Sequence, residues 1–390
     1  MHTAKRTHSF TESVIRGMTR LANEHDAINL AQGFPNFAAP DVLKAEAARA
    51  IHEDVNQYAI TWGSRRLRLA LTRKYAELYG MEVDPEADIT VTCGATEAMA
   101  AVLLAIVDPG DEVIVPEPFY ENYGPDTIIC AAKPVFCAIW EPPEWELDLD
   151  RLERAFSDRT RALILNTPNN PTGRVLSRMD LEAIAELCAR YDAWAVTDEV
   201  YEHILYEGEH VPIATLPGMR DRTITISGAS KTYSVTGWRI GTIIAPPDVT
   251  DAIRKVHDFL TVGAPAPLQE GVAAAMETLG PDYYESLASD YRARRDALHS
   301  RLIEAGFHAA LPEGAYYILA DFSEISGLPD DEFSVWLTRE IGVAPVPGSS
   351  FYADPADGRH LIRFAFPKTL DMLKEAGASL AGVRERAMPR

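Results

Sequence analysis

"DLEAIAELCARYDAWAVTDEVY", residues 180 to 201, changes its period halfway along. Leu181, Ile184, Leu187 and Tyr191 recur at helical spacing, and "AWAVTD" (193–198) then runs apolar before stopping on an acid. A helix followed by a strand buried on both faces is the repeating unit of a mainly parallel sheet, whose crossovers lay helices over both sides. Similar runs return at "DITVT" (88–92), "DEVIVP" (111–116), "RALILN" (161–166), "TITIS" (223–227) and "IGTIIA" (240–245). The expectation is an α/β fold, with a large domain over residues 46–274 whose mainly parallel sheet is covered by helices on both faces. Past residue 275 the texture changes. Helical "YYESLASDYRARRDALHSRLIEAG", strand-like "AYYILADF", helical "DEFSVWLTREIG", the strand "HLIRFAF" and a last helix near "LDMLKEAGASLAGVRER" predict a smaller α+β domain, built from residues 1–45 and 275–390.

Bulk composition narrows the function. The 390 residues are 47% hydrophobic and 24% charged, as in a globular chain of two or three domains. A formal charge of −21 opposes binding to phosphate backbones or anionic lipid, so neither nucleic acid nor membrane is an expected partner. The basic start "MHTAKRTHSF" leads into no apolar h-region, and no stretch of 18 apolar residues occurs, so the expected location is cytoplasmic. Cys93, Cys130, Cys137 and Cys188 show no CxxC spacing, which argues against zinc and against a disulfide framework. No metal is expected.

In an open α/β sheet, ligands bind beyond the carboxyl ends of the strands. Here the exits are "CGATEAM", "EPFYENY", "TPNNPTG", "DEVY" and "SGASK", all polar or glycine-rich, and they converge on one site. Gly94-Ala95-Thr96 opens a helix directly after a strand, where free N–H groups and the positive dipole end hold a phosphate without a lysine. Arg239 can add a bidentate contact. Neither GxxxxGK[ST] nor GxGxxG occurs, so the phosphate belongs to neither ATP nor a dinucleotide. Taken singly, "GAT" is an ordinary turn, Asp198 half of a structural ion pair, and Lys231 a surface lysine. Together on one sheet edge they suggest more: a phosphate at one end, a ring nitrogen beside the buried acid, and an aldehyde condensed with the lysine. Pyridoxal phosphate satisfies all three.

Six motifs, "NLAQGFPNF", "TCGATEAM", "NTPNNPTG", "TDEVYEHI", "SKTYSVTGWRIG" and "HLIRFAFPK", together resemble the fold-type I, class I/II pyridoxal 5'-phosphate-dependent aminotransferases. The likeness runs from about residue 10 to 385, closest in texture to the kynurenine, glutamine and methionine aminotransferase subgroup. It implies that Lys231 binds the cofactor aldehyde and, once substrate displaces it, carries the proton between Cα and the cofactor. Asp198 would pair with the ring nitrogen and keep the ring cationic. Tyr201 and Asn170 would donate to the phenolate oxygen, and Tyr120 would stack on the ring. Gly94, Ala95, Thr96 and Arg239 would hold the phosphate. Tyr58, in "NQYAITWG", would reach the phosphate of a neighbouring subunit, which implies a homodimer with shared sites. Arg363 would grip the substrate carboxylate with its planar fork. Gly33 would let substrate approach the backbone, beside Asn170, and Phe34 would wall the pocket.

Two positions depart from the family. Gly228 stands where many relatives carry a serine at the phosphate, between Ser227 and Ser230; either hydroxyl can substitute, and Ser230 is the candidate. "LTVGAPAP" (260–267) places Val262 and Gly263 where kynurenine-type enzymes tend to carry bulky residues from the partner subunit, which weakens an aromatic substrate. The implied reaction moves an amino group from an L-amino acid of glutamine, methionine or aromatic type to a 2-oxo acid by a ping-pong mechanism. A C–S β-lyase is the alternative, since loss of the Cα proton also expels a leaving group at Cβ. A non-catalytic effector-binding domain is more remote: it calls for a basic helix-turn-helix ahead of "INLAQGF", and the 27 residues there show none.

Overall fold

The computed structural model describes residues 2–141 and 145–387. Residues 142–144, expected in the large domain, and Met1 and residues 388–390, expected in the small one, lie outside the described residues. Seven strands form the main sheet: β1 (Ile89–Thr92), β2 (Glu112–Glu117), β3 (Lys133–Ala138), β4 (Thr160–Asn166), β5 (Trp194–Asp198), β6 (Thr223–Gly228) and β7 (Gly241–Ile244). Their order is β1-β7-β6-β5-β4-β2-β3. Strands β2 to β6 pair in parallel, while β7 runs antiparallel between β1 and β6. The six apolar runs in the sequence are six of these strands. The seventh, β3, is the half-buried edge, where Lys133 and Pro134 interrupt the apolar pattern and cost no central ladder bond.

Both faces of the sheet are packed, and neighbouring residues go to opposite sides. Leu163 and Ala195 join one core cluster, whereas Ile164 and Val196 join another. Helix α1 (Ala95–Ile106) covers the second face with Ala98, Met99 and Val102. Helix α2 (Arg178–Arg190) covers the first with Leu181, Ile184 and Leu187, each aliphatic side chain contributing about 1.5–3 kcal/mol on burial. Its start is set by a reciprocal capping box between Ser177 and Asp180. Further along lie the single turn α3 (Ala229–Thr232), α4 (Pro247–Thr261) and the long α5 (Pro281–Ala305).

A three-stranded antiparallel sheet follows: β8 (Tyr317–Asp321), β9 (Val346–Pro347) and β10 (Leu361–Ala365), with β10 central. Ile28–Asn29 pair in parallel with Val343–Ala344, which brings "INLAQGF" beside the C-terminal third of the chain. Leu287, Tyr291 and Leu298 of α5 pack with Tyr316, Ile318 and Phe364 in one core cluster. The "DEFSVWLTREIG" stretch is helical over Asp330–Trp336 and widens to a π-turn over Leu337–Ile341. No helix among the described residues is long and apolar enough to cross a membrane.

The reversed strand matters for the site. Gly241, the first residue of β7, lies opposite Thr92 and Gly228, so Arg239 just before it arrives at the edge where β1 and β6 end.

Candidate active site

Gly94 caps α1 with φ +85°, a backbone conformation that side chains rarely tolerate. A Cβ there would collide with the Arg239 guanidinium, and one on Gly241 would collide with the Gly94–Ala95 backbone. The two glycines therefore let arginine, turn and helix end crowd together. The opening N–H groups of α1, at Ala95 and Thr96, have no acceptor within the helix. Arg239 is exposed and steadied by an Nη1 bond to the Thr236 carbonyl at 3.0 Å. Fixed N–H donors and an exposed guanidinium make a cradle for an anion. Beside it, Ser227 Oγ donates to Glu202 Oε1 at 2.5 Å and is committed to the interior. Ser230, half-buried, has no such bond among the described residues.

Lys231 rises from α3 into the convergence of strand ends. Its Nζ donates to the Gly33 carbonyl at 3.2 Å and lies 5.4 Å from the Tyr316 ring centre and 5.8 Å from that of Tyr201. Burial lowers its pKa to about 8; Asp198 opposes the shift, and Arg239 and Arg363 add to it. Asp198 terminates β5 and is buried. It accepts from Tyr123 OH at 2.8 Å and from the Val200 N–H at 3.4 Å. Burial nevertheless raises its carboxyl to about 6. No Lys, Arg or His among the described residues makes an ion pair with it, so the pocket offers an acid that lacks its cation. A protonated ring nitrogen fits that vacancy in charge, as the anion cradle and the lysine fit the other ends of pyridoxal phosphate.

The lysine's pKa carries a prediction. Capture of pyridoxal phosphate by cofactor-free protein should rise with pH with its midpoint near 8, since the neutral amine is the nucleophile. Asp198→Asn should move the midpoint lower, because Asp198 holds that pKa up. A midpoint near the ordinary lysine value of about 10.4 would contradict the burial argument.

Arg363, at the centre of β10, is fully buried. Alternation along "LIRFA" separates it from Ile362 and Phe364, yet the face it turns to is also covered. Its Nη1 donates to Asn170 Oδ1 at 2.8 Å and its Nη2 to the Ala31 carbonyl at 2.7 Å, with the guanidinium over the rings of Tyr317 (4.3 Å) and Phe351 (4.9 Å). Asn170 thereby spends its oxygen and keeps its NH2 to donate. Arg363 Nε is buried without a partner among the described residues, a state costing about 1–3 kcal/mol that an incoming carboxylate would relieve. Arg363→Ala should lower kcat/KM for amino acids by about 10²-fold or more, with Arg363→Lys recovering only part because it lacks the fork. Equal activity of the alanine variant on amino acids and on simple amines would exclude this contact.

Tyr201 OH lies 2.9 Å from Tyr317 OH, and Tyr120 meets Tyr123 edge to face at 5.7 Å between ring centres. A Cβ at Gly33 would collide with Tyr317 OH and sit 2.9 Å from the Tyr316 ring, so the missing side chain lets the backbone lie directly against two tyrosines. Phe34 is held by Lys368, whose Nζ lies 3.9 Å from the ring centre and donates to the Gln32 and Phe34 carbonyls at 3.2 and 3.0 Å. Tyr58 stands apart from this cluster, 86% exposed. Sequence reasoning assigned no role to Tyr123, Tyr316, Tyr317 or Lys368. The signal for Tyr123 was its place three residues after Tyr120 in a strand exit; the Tyr316–Tyr317 pair reads simply as a strand start.

Comparison with known proteins agrees with this geometry. The family model for "Aminotransferase class I and II" matches residues 25–377. The chain is 39% identical to methionine aminotransferase of Escherichia coli (strain K12), covering 94% of this chain and 95% of that protein. It is 36% identical to kynurenine–oxoglutarate transaminase 1 of Homo sapiens, covering 90% of each. The solved structure of N-succinyldiaminopimelate aminotransferase from Mycobacterium tuberculosis superposes with a TM-score of 0.94 at 40% identity, over 98% of this chain and 100% of that one. An anion cradle, a lysine and a buried acid without an ion pair among the described residues stand at the strand ends of this fold, and with that match the chain belongs to the class I and II aminotransferases, fold-type I enzymes that use pyridoxal 5'-phosphate.

Proposed function

We propose that the enzyme transfers the amino group of a methionine- or glutamine-type L-amino acid to a 2-oxo acid by a ping-pong mechanism, with the roles divided among the residues above. The observation that carries the reading is the meeting at one sheet edge of Lys231, depressed to about 8, and Asp198, a buried acid with no ion-pair partner among the described residues. The cofactor, when bound, supplies an aldehyde carbon for the amine and a ring that withdraws electrons from Cα. Asp198 would hold a proton on the ring nitrogen. Tyr201 and Asn170 would donate to the phenolate oxygen, Tyr120 would lie against the ring, and Gly94, Ala95, Thr96, Ser230 and Arg239 would hold the phosphate. Lys231 Nζ, partly neutral near pH 8, would act as the base that takes the substrate's Cα proton and holds it for return. Arg363 fixes the α-carboxylate, so that amino acid and 2-oxo acid occupy the same seat in turn.

Donor choice follows from the walls. Phe34, Tyr316 and Tyr317 offer apolar and aromatic surface, while the exposed Val262 and the adjacent Gly263 supply little bulk to confine a large aromatic donor. A panel of twenty amino donors against pyruvate and 2-oxoglutarate tests this. Methionine or glutamine should give the highest kcat/KM; kynurenine exceeding both would overturn the assignment. A cysteine conjugate yielding pyruvate faster than any transamination would favour the lyase.

The division into residues 46–274 and 1–45 with 275–390 accords with the two sheets and the Ile28–Val343 pairing. A homodimer accords with the exposure of Tyr58 (86%) and Phe259 (92%) beside Ile60, Leu260 and Val262, an apolar surface that water does not favour. Sedimentation should find a dimer, and Tyr58→Phe should weaken cofactor binding; a monomer at micromolar concentration would exclude shared sites. Four free cysteines accord with a reducing cytoplasm.

A further inference from the structure

His257 of α4 is fully buried. Its Nδ1 lies 3.0 Å from Glu97 Oε1 and 3.2 Å from Thr261 Oγ1, and its Nε2 lies 2.9 Å from the Thr61 carbonyl oxygen. A carbonyl and an ionised carboxylate only accept, so both bonds are made only when both ring nitrogens carry protons. Burial by itself pulls the pKa down; the Glu97 bond and charge, the Thr61 carbonyl and the charge of Asp258 outweigh it, leaving the imidazole above its ordinary value. The groups acting on the ring are Glu97 from α1 and Asp258 from its own helix; the loop at residue 61 contributes its carbonyl, with Thr61 Oγ1 donating to Asp258 at 3.3 Å.

Glu97 stands in the first turn of α1, directly after Thr96. Its Oε2 accepts the Cys93 N–H at 3.0 Å, so the same carboxylate that bonds His257 also fixes the residue before Gly94. A carboxylate there competes with any dianion for the same helix end, and like charges at close range oppose each other.

We propose that His257 is a positioning residue for the cofactor phosphate: as an imidazolium it neutralises Glu97 behind the Gly94–Thr96 turn, so that the carboxylate orders the turn without repelling the phosphate. The proposal rests on the reading that this turn holds the phosphate. The bond from Nε2 also ties the Thr61 loop, a few residues after Tyr58, to the same cradle.

The test is titration of cofactor-free protein with pyridoxal 5'-phosphate and, separately, with pyridoxamine 5'-phosphate, which forms no bond to Lys231. Near pH 7, His257→Gln should weaken binding of both by about tenfold or more. Adding Glu97→Gln should restore most of the loss, because the uncompensated charge is gone. The gap between wild type and His257→Gln should close as pH rises through the histidine's raised pKa, where the wild-type ring becomes neutral too. Binding by His257→Gln within twofold of wild type, or a double variant no better than the single, would overturn the proposal. A histidine that serves folding alone would lower the melting temperature with and without cofactor by the same amount, and the cofactor-induced rise separates that case. Arg239→Ala, at an exposed side chain, tests the underlying reading: unchanged affinity there would mean that the phosphate lies elsewhere, whereas weakened affinity with His257→Gln intact would overturn the histidine's role alone.

Discussion

Lys231→Ala should lower turnover by at least about 10⁴-fold, because it removes both the covalent anchor and the base, and positioned proton transfer alone contributes about 10²–10⁴. It should also remove the visible absorbance of bound cofactor. The fold should survive. Among the described residues Lys231 makes one direct hydrogen bond, to the Gly33 carbonyl, and burial already works against its charge, so the melting temperature of the cofactor-free variant should match or exceed that of wild type. A variant that keeps its colour and turns over would mean that another amine is the anchor. Lys368 is the one to examine then, because burial lowers its pKa to about 8 as well. It is clamped to the Gln32 and Phe34 carbonyls, which argues against that role.

Asp198→Asn should cost about 10²–10³ in kcat with the fold intact, the range found when a preorganised electrostatic partner is removed from a water-excluded site. The amide oxygen can keep the Val200 N–H while its NH2 donates to Tyr123 OH, so the damage falls on the charge opposite the ring nitrogen. A second signature has a fixed sign. The folded carboxyl stands near 6, above its unfolded value, so its favourable contribution is complete below the unfolded pKa and is lost as pH rises through about 6. Without cofactor, the asparagine variant should therefore melt higher than wild type at pH 8 and lose that advantage by pH 4. With cofactor bound, the order at pH 8 should reverse. Unchanged kcat would remove Asp198 from the chemistry.

Much of this was legible in the sequence because it is local. Continuous Val- and Ile-rich runs are what a strand covered on both faces requires, and the polar exits after them mark the ligand edge. Glycine at 94 was readable as a turn, but its partner Gly241 was not, since their contact depends on β7 running backwards beside β1. Arg239 precedes its strand rather than following it and reaches the site for the same reason. The Glu97–His257 pair joins positions 160 residues apart, and the Arg363–Asn170 bond joins positions 193 apart; no periodicity encodes such meetings. The burial of Arg363 is not legible in its alternating strand, and only the tertiary packing of Tyr317 and Phe351 against it shows a buried fork. The serine question also needed the fold, which turns Ser227 inward to Glu202.

The most direct test of the central claim is borohydride reduction of the cofactor-loaded protein, followed by mapping of the adduct. The account predicts one stable pyridoxyl adduct, at Lys231, within the tryptic peptide spanning residues 223 to 239. Reduction that leaves that peptide unmodified, or places the adduct on a different lysine, would contradict it.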